Sequence, residues 1–174
     1  MGVNPVALAA PAAPVDGLLV GRPRPQRVPW SRRLPYGFFA YRFLAMPLVR
    51  IETRRWLTPE TKLQLFDAVH AALVGAFKIP NDDRAQRLLE YAPEDFEIPP
   101  GKGPRFTIIV VSAFAGRSLD AKRNLYRELV ARLSQLGIPP KDVFVLLEEQ
   151  PLDNWGIKGG VPASEAKLGF EVKV

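Results

Sequence analysis

The sequence predicts an α/β fold built from two tandem βαβ units, on the strength of three observations. Residues 46–174 contain an internal duplication, each copy has apolar residues at helical spacing, and strand-like runs lie on both sides of each helix. Two such units side by side would form a four-stranded sheet with both helices on one face. A segment of this size is typical of one domain.

The duplication relates positions sixty residues apart. Its matched pairs are Thr58/Ser118, Lys62/Lys122, Leu65/Leu125, Phe66/Tyr126, Val69/Leu129 and Leu73/Leu133. After the helices the spacing becomes one residue shorter, so that Ile79-Pro80 matches Ile138-Pro139 and Asp83 matches Asp142. So many matched positions at a fixed spacing indicate a true internal repeat.

Each copy begins with a hydroxyl residue suited to capping a helix, Thr58 in the first and Ser118 in the second. Apolar residues follow at helical spacing, and we expect Phe66 and Tyr126 to face the core. Each helix ends before a proline, which cannot continue it. The predicted strands are residues 48–52, 86–91, 106–114 and 143–149.

One face of the predicted sheet would remain open. A crossover as long as a helix makes the two strands of each unit parallel and leaves both helices on the same side. An exposed apolar sheet face favours oligomerisation, because association buries the surface that the single chain leaves in water.

Residues 1–45 form a Pro/Arg-rich leader of different composition. They hold one acid, Asp16, seven of the 18 prolines and six arginines, so they carry +5 of the net charge of +6. The arginines are Arg22, Arg24, Arg27, Arg32, Arg33 and Arg42. The basic charge is therefore poor evidence that the domain binds nucleic acid or a membrane. Prolines at this density predict disorder.

Three interpretations of the leader stay open: a wrongly assigned start codon with Met46 as the true start, an organelle presequence, or a retained disordered extension.

We expect a domain over 46–174, with units at about 47–98 and 104–152 and a C-terminal segment. No run approaches the roughly 18–20 apolar residues of a membrane span. The sequence has no cysteine, so we expect a reducing, cytoplasmic compartment.

Met46-Pro47 precedes a strand-like run and carries the main chemical hypothesis. A proline at a free N-terminus is a secondary amine and can accept a proton, whereas a proline within a chain has an amide nitrogen. The alternative is an ordinary proline at the start of a strand, where it is tolerated. Enzymatic function therefore depends on where the working chain begins.

Residues from Met46 to about Gly160 resemble the tautomerase superfamily, in particular its fused 4-oxalocrotonate tautomerase-like members such as malonate semialdehyde decarboxylase and cis-3-chloroacrylic acid dehalogenase. The resemblance rests on Met-Pro-Leu-Val-Arg-Ile at 46–51, Asp-Ala-Val-His at 67–70, Ile-Pro-Asn-Asp-Asp-Arg at 79–84, Gly-Arg-Ser at 116–118 with Lys122, and Asn-Trp at 154–155 leading to Gly-Gly at 159–160. It implies a homotrimer of the fused subunit, no cofactor, and an N-terminal proline as the catalytic group.

The resemblance also implies roles for single residues. Pro47 would be the general base, Arg117 would hold a substrate carboxylate through its guanidinium fork, and Asp83 would position or activate water and substrate. The decarboxylase has a second arginine two positions before the first, where this chain has Ala115. The difference favours a 2-oxo acid or enol acid over decarboxylation and dehalogenation.

The same resemblance adds Gln86, His70, Trp155 and Ile157 to the substrate site. Trp155 and Ile157 match the apolar wall of the pocket, where Ile157 replaces the usual aromatic residue. Two of the site residues have a plainer interpretation, since Asp83 suits a turn and His70 suits a helix surface or a packed position. No cysteine or second histidine accompanies His70, so we expect no metal site.

The expected function is a cofactor-free keto–enol (1,3-proton) shift on a small carboxylate substrate. Malonate-semialdehyde-type decarboxylation and haloacrylate-type hydrolytic dehalogenation are the alternatives within enzymes. An alternative of another class is a non-catalytic, oligomeric tautomerase fold whose basic leader tethers it to a polyanion or a protein. We expect neither nucleic acid nor a membrane to be a partner of the domain.

Overall fold

The computed structural model describes residues 47–168. The expectations for Met46 and for the leader of residues 1–45 lie outside the described residues. The main elements in chain order are β1 (Pro47–Arg54), α1 (Pro59–Phe77), β2 (Ala85–Tyr91), β3 (Thr107–Phe114), α2 (Leu119–Gln135), β4 (Val143–Gln150), β5 (Gly156–Ile157) and β6 (Val161–Pro162). Each strand–helix–strand unit predicted from the sequence is present.

The main sheet has four strands in the order β2-β1-β3-β4. β1 is parallel to β2, β3 is parallel to β4, and the two central strands β1 and β3 are antiparallel. The predicted fold class is therefore confirmed as two fused βαβ units. β5 and β6 form a separate two-stranded antiparallel sheet near the end of the described chain.

Both helices begin at the predicted caps. The Thr58 hydroxyl accepts a hydrogen bond from the Thr61 backbone N–H at 3.2 Å, and the Ser118 hydroxyl accepts one from Ala121 N–H at 3.1 Å. Each bond satisfies a donor that has no partner within its own helix. Of the helices in residues 47–168, none has the length and apolar character needed to cross a membrane.

The core lies between the two helices and one face of the sheet. Alternate residues of β1 and β3 point into it because side chains alternate along a strand. Its helix residues include the matched pairs Leu65/Leu125, Val69/Leu129 and Leu73/Leu133. The expectation for Tyr126 was wrong, because Tyr126 is 36% exposed and only Phe66 packs against the core. Phe66 and Tyr126 each directly follow a buried leucine, so the spacing along the helix does not explain this difference.

The duplication extends to an ion pair between each helix and the last strand of its unit. Lys62 of α1 pairs with Glu90 of β2, and Lys122 of α2 pairs with Glu149 of β4. Glu90 and Glu149 have the same spacing along the chain as Asp83 and Asp142, one residue shorter than the sixty of the helix pairs. The same Lys–Glu ion pair therefore links the helix to the last strand in both units.

The second face of the sheet carries exposed apolar side chains, as the sequence predicts. Leu89 of β2 and Phe144 and Leu146 of β4 are 42%, 51% and 44% exposed, respectively. Arg50 and Glu52 form an ion pair at 2.6 Å on the same face of β1. This mixed apolar and charged face is not covered by the helices.

Candidate functional site

Strand register brings Pro47 to the end of the sheet where several loops meet. Pro47, the first residue of β1, is buried and pairs with Ala113 near the end of β3. Leu48 pairs with Ala85, so β1 and β2 begin side by side. The residues that immediately precede β2 and follow β3 therefore lie at the same sheet end as Pro47.

Arg117 lies in the loop between β3 and α2 and is 4% exposed. Its guanidinium carbon is 5.1 Å from the centroid of the Phe77 ring, which orients the guanidinium over the last residue of α1. Burial lowers the pKa of Arg117, and the negative charge of Glu149 acts in the opposite direction. Arginine nevertheless remains cationic in proteins. A buried guanidinium beside a helix N-terminus is suited to a carboxylate.

Asp83 precedes β2 and is 3% exposed. Among the described residues, neither of its carboxylate oxygens has a hydrogen-bond partner. Burial raises the pKa of Asp83 from 3.8 to about 7, and the charge of neighbouring Asp82 adds to the shift. Such a carboxyl can donate or accept a proton near neutral pH, which suits general acid–base chemistry.

Gln86 presents its side-chain oxygen as an acceptor. Its Nε2 donates to the Phe66 carbonyl at 2.9 Å, and a carbonyl can only accept, so the amide orientation is fixed. The remaining Oε1 is buried and has no partner in the described part of the chain. Gln86 pairs with Val49, two residues into β1 from Pro47.

Trp155 and Ile157 lie against an apolar cluster that also contains Phe114 at the end of β3. The rings of Phe114 and Trp155 meet edge to face, with centroids 5.1 Å apart and an interplanar angle of 83°. Leu48 packs on the same cluster, which connects it to the start of β1. Trp155 Nε1 is buried with no partner among residues 47–168.

His70 contacts the loop that carries Asp83. Its Nε2 lies 2.8 Å from the Asn81 carbonyl, so this nitrogen carries the proton and donates it. Asp67 on the same helix pairs with Arg84 at 2.6 Å. His70 thus holds the loop through its backbone in this structure, while its predicted contact with substrate stays a prediction.

The sheet end at Pro47 combines a buried guanidinium with a carboxyl that titrates near neutrality. The predicted apolar wall of Trp155 lies on the other face of the sheet, because Leu48 and Phe114 of its cluster alternate with Pro47 and Ala113. Within the described residues, no group of three or more histidine, cysteine, aspartate or glutamate side chains is arranged to hold a metal ion. The chemistry that these side chains support directly is proton transfer on a bound carboxylic acid.

The sequence of this domain matches proteins that carry the same fold. Residues 83–158 match the family described as tautomerase enzyme. The probable tautomerase YrdN of Bacillus subtilis (strain 168) is 31% identical over 116 residues, which cover 63% of this chain and 89% of that protein. This chain belongs to the tautomerase family.

Two solved structures of tautomerase-family proteins resemble this one. FG41 malonate semialdehyde decarboxylase, inhibited by 3-bromopropiolate, is 30% identical, with a TM-score of 0.61 over 66% of this chain and 92% of that one. A fused 4-OT symmetric trimer is 29% identical, with a TM-score of 0.62 over 67% of this chain and 96% of that one. The tautomerase fold therefore accounts for about two thirds of this chain and nearly all of those relatives.

Three residues that contact the candidate site residues were missed from the sequence. Phe77 lies under Arg117, Phe114 meets Trp155, and Glu149 binds the loop of Arg117. Phe77 and Phe114 appear in the sequence as ordinary apolar residues of a helix and a strand. The repeat could have pointed to Glu149, because Lys62/Lys122 and Glu90/Glu149 recur together.

Proposed function

We propose that this chain is a cofactor-free tautomerase that shifts a proton between the enol oxygen and the adjacent carbon of a 2-oxo acid. Pro47 is the base, once its nitrogen is a free secondary amine, and Arg117 holds the carboxylate. The observation that carries the proposal is the position of a buried Pro47 at the same sheet end as a buried arginine.

The electrostatics of this sheet end suit such a base. A secondary amine in water is protonated at neutral pH, and both burial and a nearby cation disfavour its ammonium form. Arg117 supplies the cation, and the apolar core residues on the Pro47 side of the sheet, Val49 and Ala113, supply low polarity. The same guanidinium would stabilise the negative charge that develops on the enolate.

The test compares two forms of the protein, one beginning at Met1 and one at Pro47 after removal of Met46. Enol–keto conversion of phenylpyruvate is measured for both, and intact mass verifies each N-terminus. Only the form beginning at Pro47 should be active, because an amide nitrogen cannot accept the proton. Equal activity of the two forms, with the leader intact, would contradict the mechanism.

Decarboxylation or hydration is the second candidate, and Asp83 is the observation that favours it. Its pKa of about 7 and its carboxylate without a described partner suit a group that prepares a water molecule or a carboxylated substrate. A related solved structure is a malonate semialdehyde decarboxylase. Ala115 argues against this candidate, because the site would lack a second cation beside Arg117.

We also propose a homotrimer that buries the exposed sheet face of Leu89, Phe144 and Leu146. A fused 4-OT relative is a symmetric trimer. Phe144→Glu would put a charge into the interface and should yield smaller species in sedimentation velocity. Leu63→Glu is the matched control, because Leu63 is 65% exposed on α1 and should leave the trimer intact. If Phe144→Glu remains a trimer, the interface does not involve this face of the sheet.

The non-catalytic alternative makes a different prediction about the leader. Residues 1–45 carry +5 of the +6 net charge, and polyanion binding depends on the release of counterions by such charges. If tethering were the function, the full chain would bind heparin at physiological salt and convert no substrate after removal of residues 1–46. An active form beginning at Pro47 would exclude this reading.

A further inference from the structure

Glu149 connects three elements at the candidate site. Its Oε2 pairs with Lys122 Nζ of α2, and its Oε1 accepts the backbone N–H groups of Gly116 and Arg117 at 3.3 and 3.2 Å. A single carboxylate at the end of β4 therefore holds both the helix and the loop that precedes it. Two successive backbone N–H groups directed at one carboxylate form an anion-binding concavity.

The first βαβ unit supplies an internal comparison. Both loops begin in the same way, since Ala115 N–H donates to the Gln150 carbonyl at 2.9 Å and Arg55 N–H donates to the Tyr91 carbonyl at 3.0 Å. These four residues are related by the duplication. Up to this point the two units are built alike.

The units diverge at the next residue. Gly116 has φ of +128°, a conformation that favours glycine, whereas Trp56 occupies the equivalent position in the first unit. Glu90 pairs with Lys62, but within residues 47–168 it accepts no backbone N–H from Trp56 or Leu57. The contact with the loop is thus an addition of the second unit, the one that carries Arg117.

We propose that Glu149 is a positioning residue that fixes the loop of Arg117 and thereby aims its guanidinium at the substrate carboxylate. This inference rests on the proposed function, because it takes Arg117 as the anchor. Arg117 is held at both ends, at its backbone by Glu149 and at its guanidinium by the Phe77 ring. An anchor fixed before binding loses less side-chain freedom when the ligand arrives.

The charge state of Glu149 agrees with this role. Burial alone would raise its pKa, but hydrogen bonds from Lys122 and from the backbone of Arg117 and Gly116 lower it below the ordinary value. The carboxylate therefore stays ionised throughout the neutral range. Charge-assisted bonds to backbone N–H groups are stronger than neutral ones.

The experiment compares Glu149→Ala with Glu90→Ala, its equivalent in the duplication. Both variants remove a Lys–Glu pair, but only the first removes the contact with the loop. In the full chain, isothermal titration calorimetry should show phenylpyruvate binding weakened about tenfold by Glu149→Ala and changed less than about twofold by Glu90→Ala. Hydrogen exchange at the Gly116 and Arg117 amides should accelerate in Glu149→Ala alone.

Two further variants separate the loop contact from the ion pair. Glu149→Gln keeps an oxygen that can accept the loop N–H groups and should recover part of the affinity. Lys122→Met keeps the carboxylate and should bind phenylpyruvate within about twofold of the parent. Equal weakening by Lys122→Met and Glu149→Ala would overturn the inference, because the ion pair alone would then account for the loss. Both variants also serve if Glu149→Ala does not fold.

Arg117→Ala distinguishes this inference from the function on which it rests. If Arg117→Ala weakens phenylpyruvate binding but Glu149→Ala and Glu149→Gln do not, the positioning role is wrong and the anchor stands. If Arg117→Ala leaves binding unchanged, the anchor itself is wrong, and the inference falls with it. Weakening by both Arg117→Ala and Glu149→Ala, with Glu90→Ala unaffected, supports both.

Discussion

Asp83 and Asp142 are equivalent residues of the two βαβ units, yet their carboxylates are in different surroundings. Asp142 Oδ1 accepts the Gly103 N–H at 2.6 Å, while both Asp83 oxygens lack a partner within the described residues. The turns themselves match, since Asp83 N–H donates to Pro80 and Asp142 N–H donates to Pro139. The duplication therefore retains the turn in both units and leaves one carboxylate available for chemistry.

The first prediction concerns stability and pH. The pKa of Asp83 rises from 3.8 to about 7 on folding, so the native state binds its proton more tightly than the unfolded chain. The stabilisation that the protonated Asp83 carboxyl contributes is fully present below its pKa in the unfolded chain. It is lost as the pH rises through the pKa of Asp83 in the folded state. Asp83→Asn should therefore be more stable than the parent at pH 8, by on the order of 4 kcal/mol, and similar to it near pH 4. Urea denaturation at both pH values measures the difference.

Asp142→Asn is the matched control for this prediction. It weakens a charge-assisted hydrogen bond to Gly103, so the free energy of unfolding should fall by about 1 kcal/mol. Stabilisation at pH 8 by both substitutions would contradict the difference between the two carboxylates.

The second prediction uses the duplicated helix caps. Thr58→Ala and Ser118→Ala each remove a hydroxyl that accepts the N–H of the third residue of its helix. Each should lower the free energy of unfolding by about 1 kcal/mol, and the double variant by about the sum, because the caps do not contact each other. Chemical denaturation of the three variants measures these costs. A loss from only one of them would mean that the caps are not equivalent.

The duplication is the reason that much of the fold could be predicted from the sequence. The helix starts at Thr58 and Ser118 and the order of strands and helices follow from local spacing and capping, which short segments specify by themselves. The side of the sheet that the helices cover follows from the parallel crossover. Tyr126 shows the limit, because a matched aromatic pair does not reveal which member is exposed.

The candidate site could be predicted only in part. Pro47, Asp83 and Arg117 were named through family resemblance, and the strand register brings their segments to one end of the sheet. The contacts of Arg117 with Phe77 and Glu149 join residues far apart in the chain, and no local pattern specifies such pairs. Only the folded structure shows these supporting residues.

The third prediction concerns Trp155. Trp155→Phe removes the buried Nε1–H, which has no partner among residues 47–168, and keeps an aromatic ring against Phe114. The free energy of unfolding should stay the same or rise, because an unsatisfied buried donor costs about 1–3 kcal/mol. If Trp155 lines the substrate pocket, the KM for phenylpyruvate should increase several-fold, because the variant has no N–H to donate to the substrate. Thermal unfolding and steady-state kinetics together test this, and a drop in stability with unchanged KM would assign Trp155 to packing alone.

The last prediction separates the two enzymatic proposals through a pair of single substitutions. If Arg117 anchors the carboxylate of a tautomerase substrate, Arg117→Ala should raise KM for 2-oxo acids by an amount that corresponds to about 1.5–3 kcal/mol. Asp83→Asn should then change kcat modestly, because a 1,3-proton shift by Pro47 needs no activated water.

In a decarboxylase or hydratase the pattern would be reversed. Asp83→Asn should then lower kcat by about two to four orders of magnitude and leave KM nearly unchanged, because the proton transfer itself is lost. Ala115 favours the first outcome, since the site has no second arginine at that position to hold a more highly charged substrate. Steady-state kinetics of both variants with phenylpyruvate and with malonate semialdehyde decide between them. If Arg117→Ala leaves KM unchanged with both substrates, Arg117 is not the anchor, and the assignment of a carboxylate substrate falls with it.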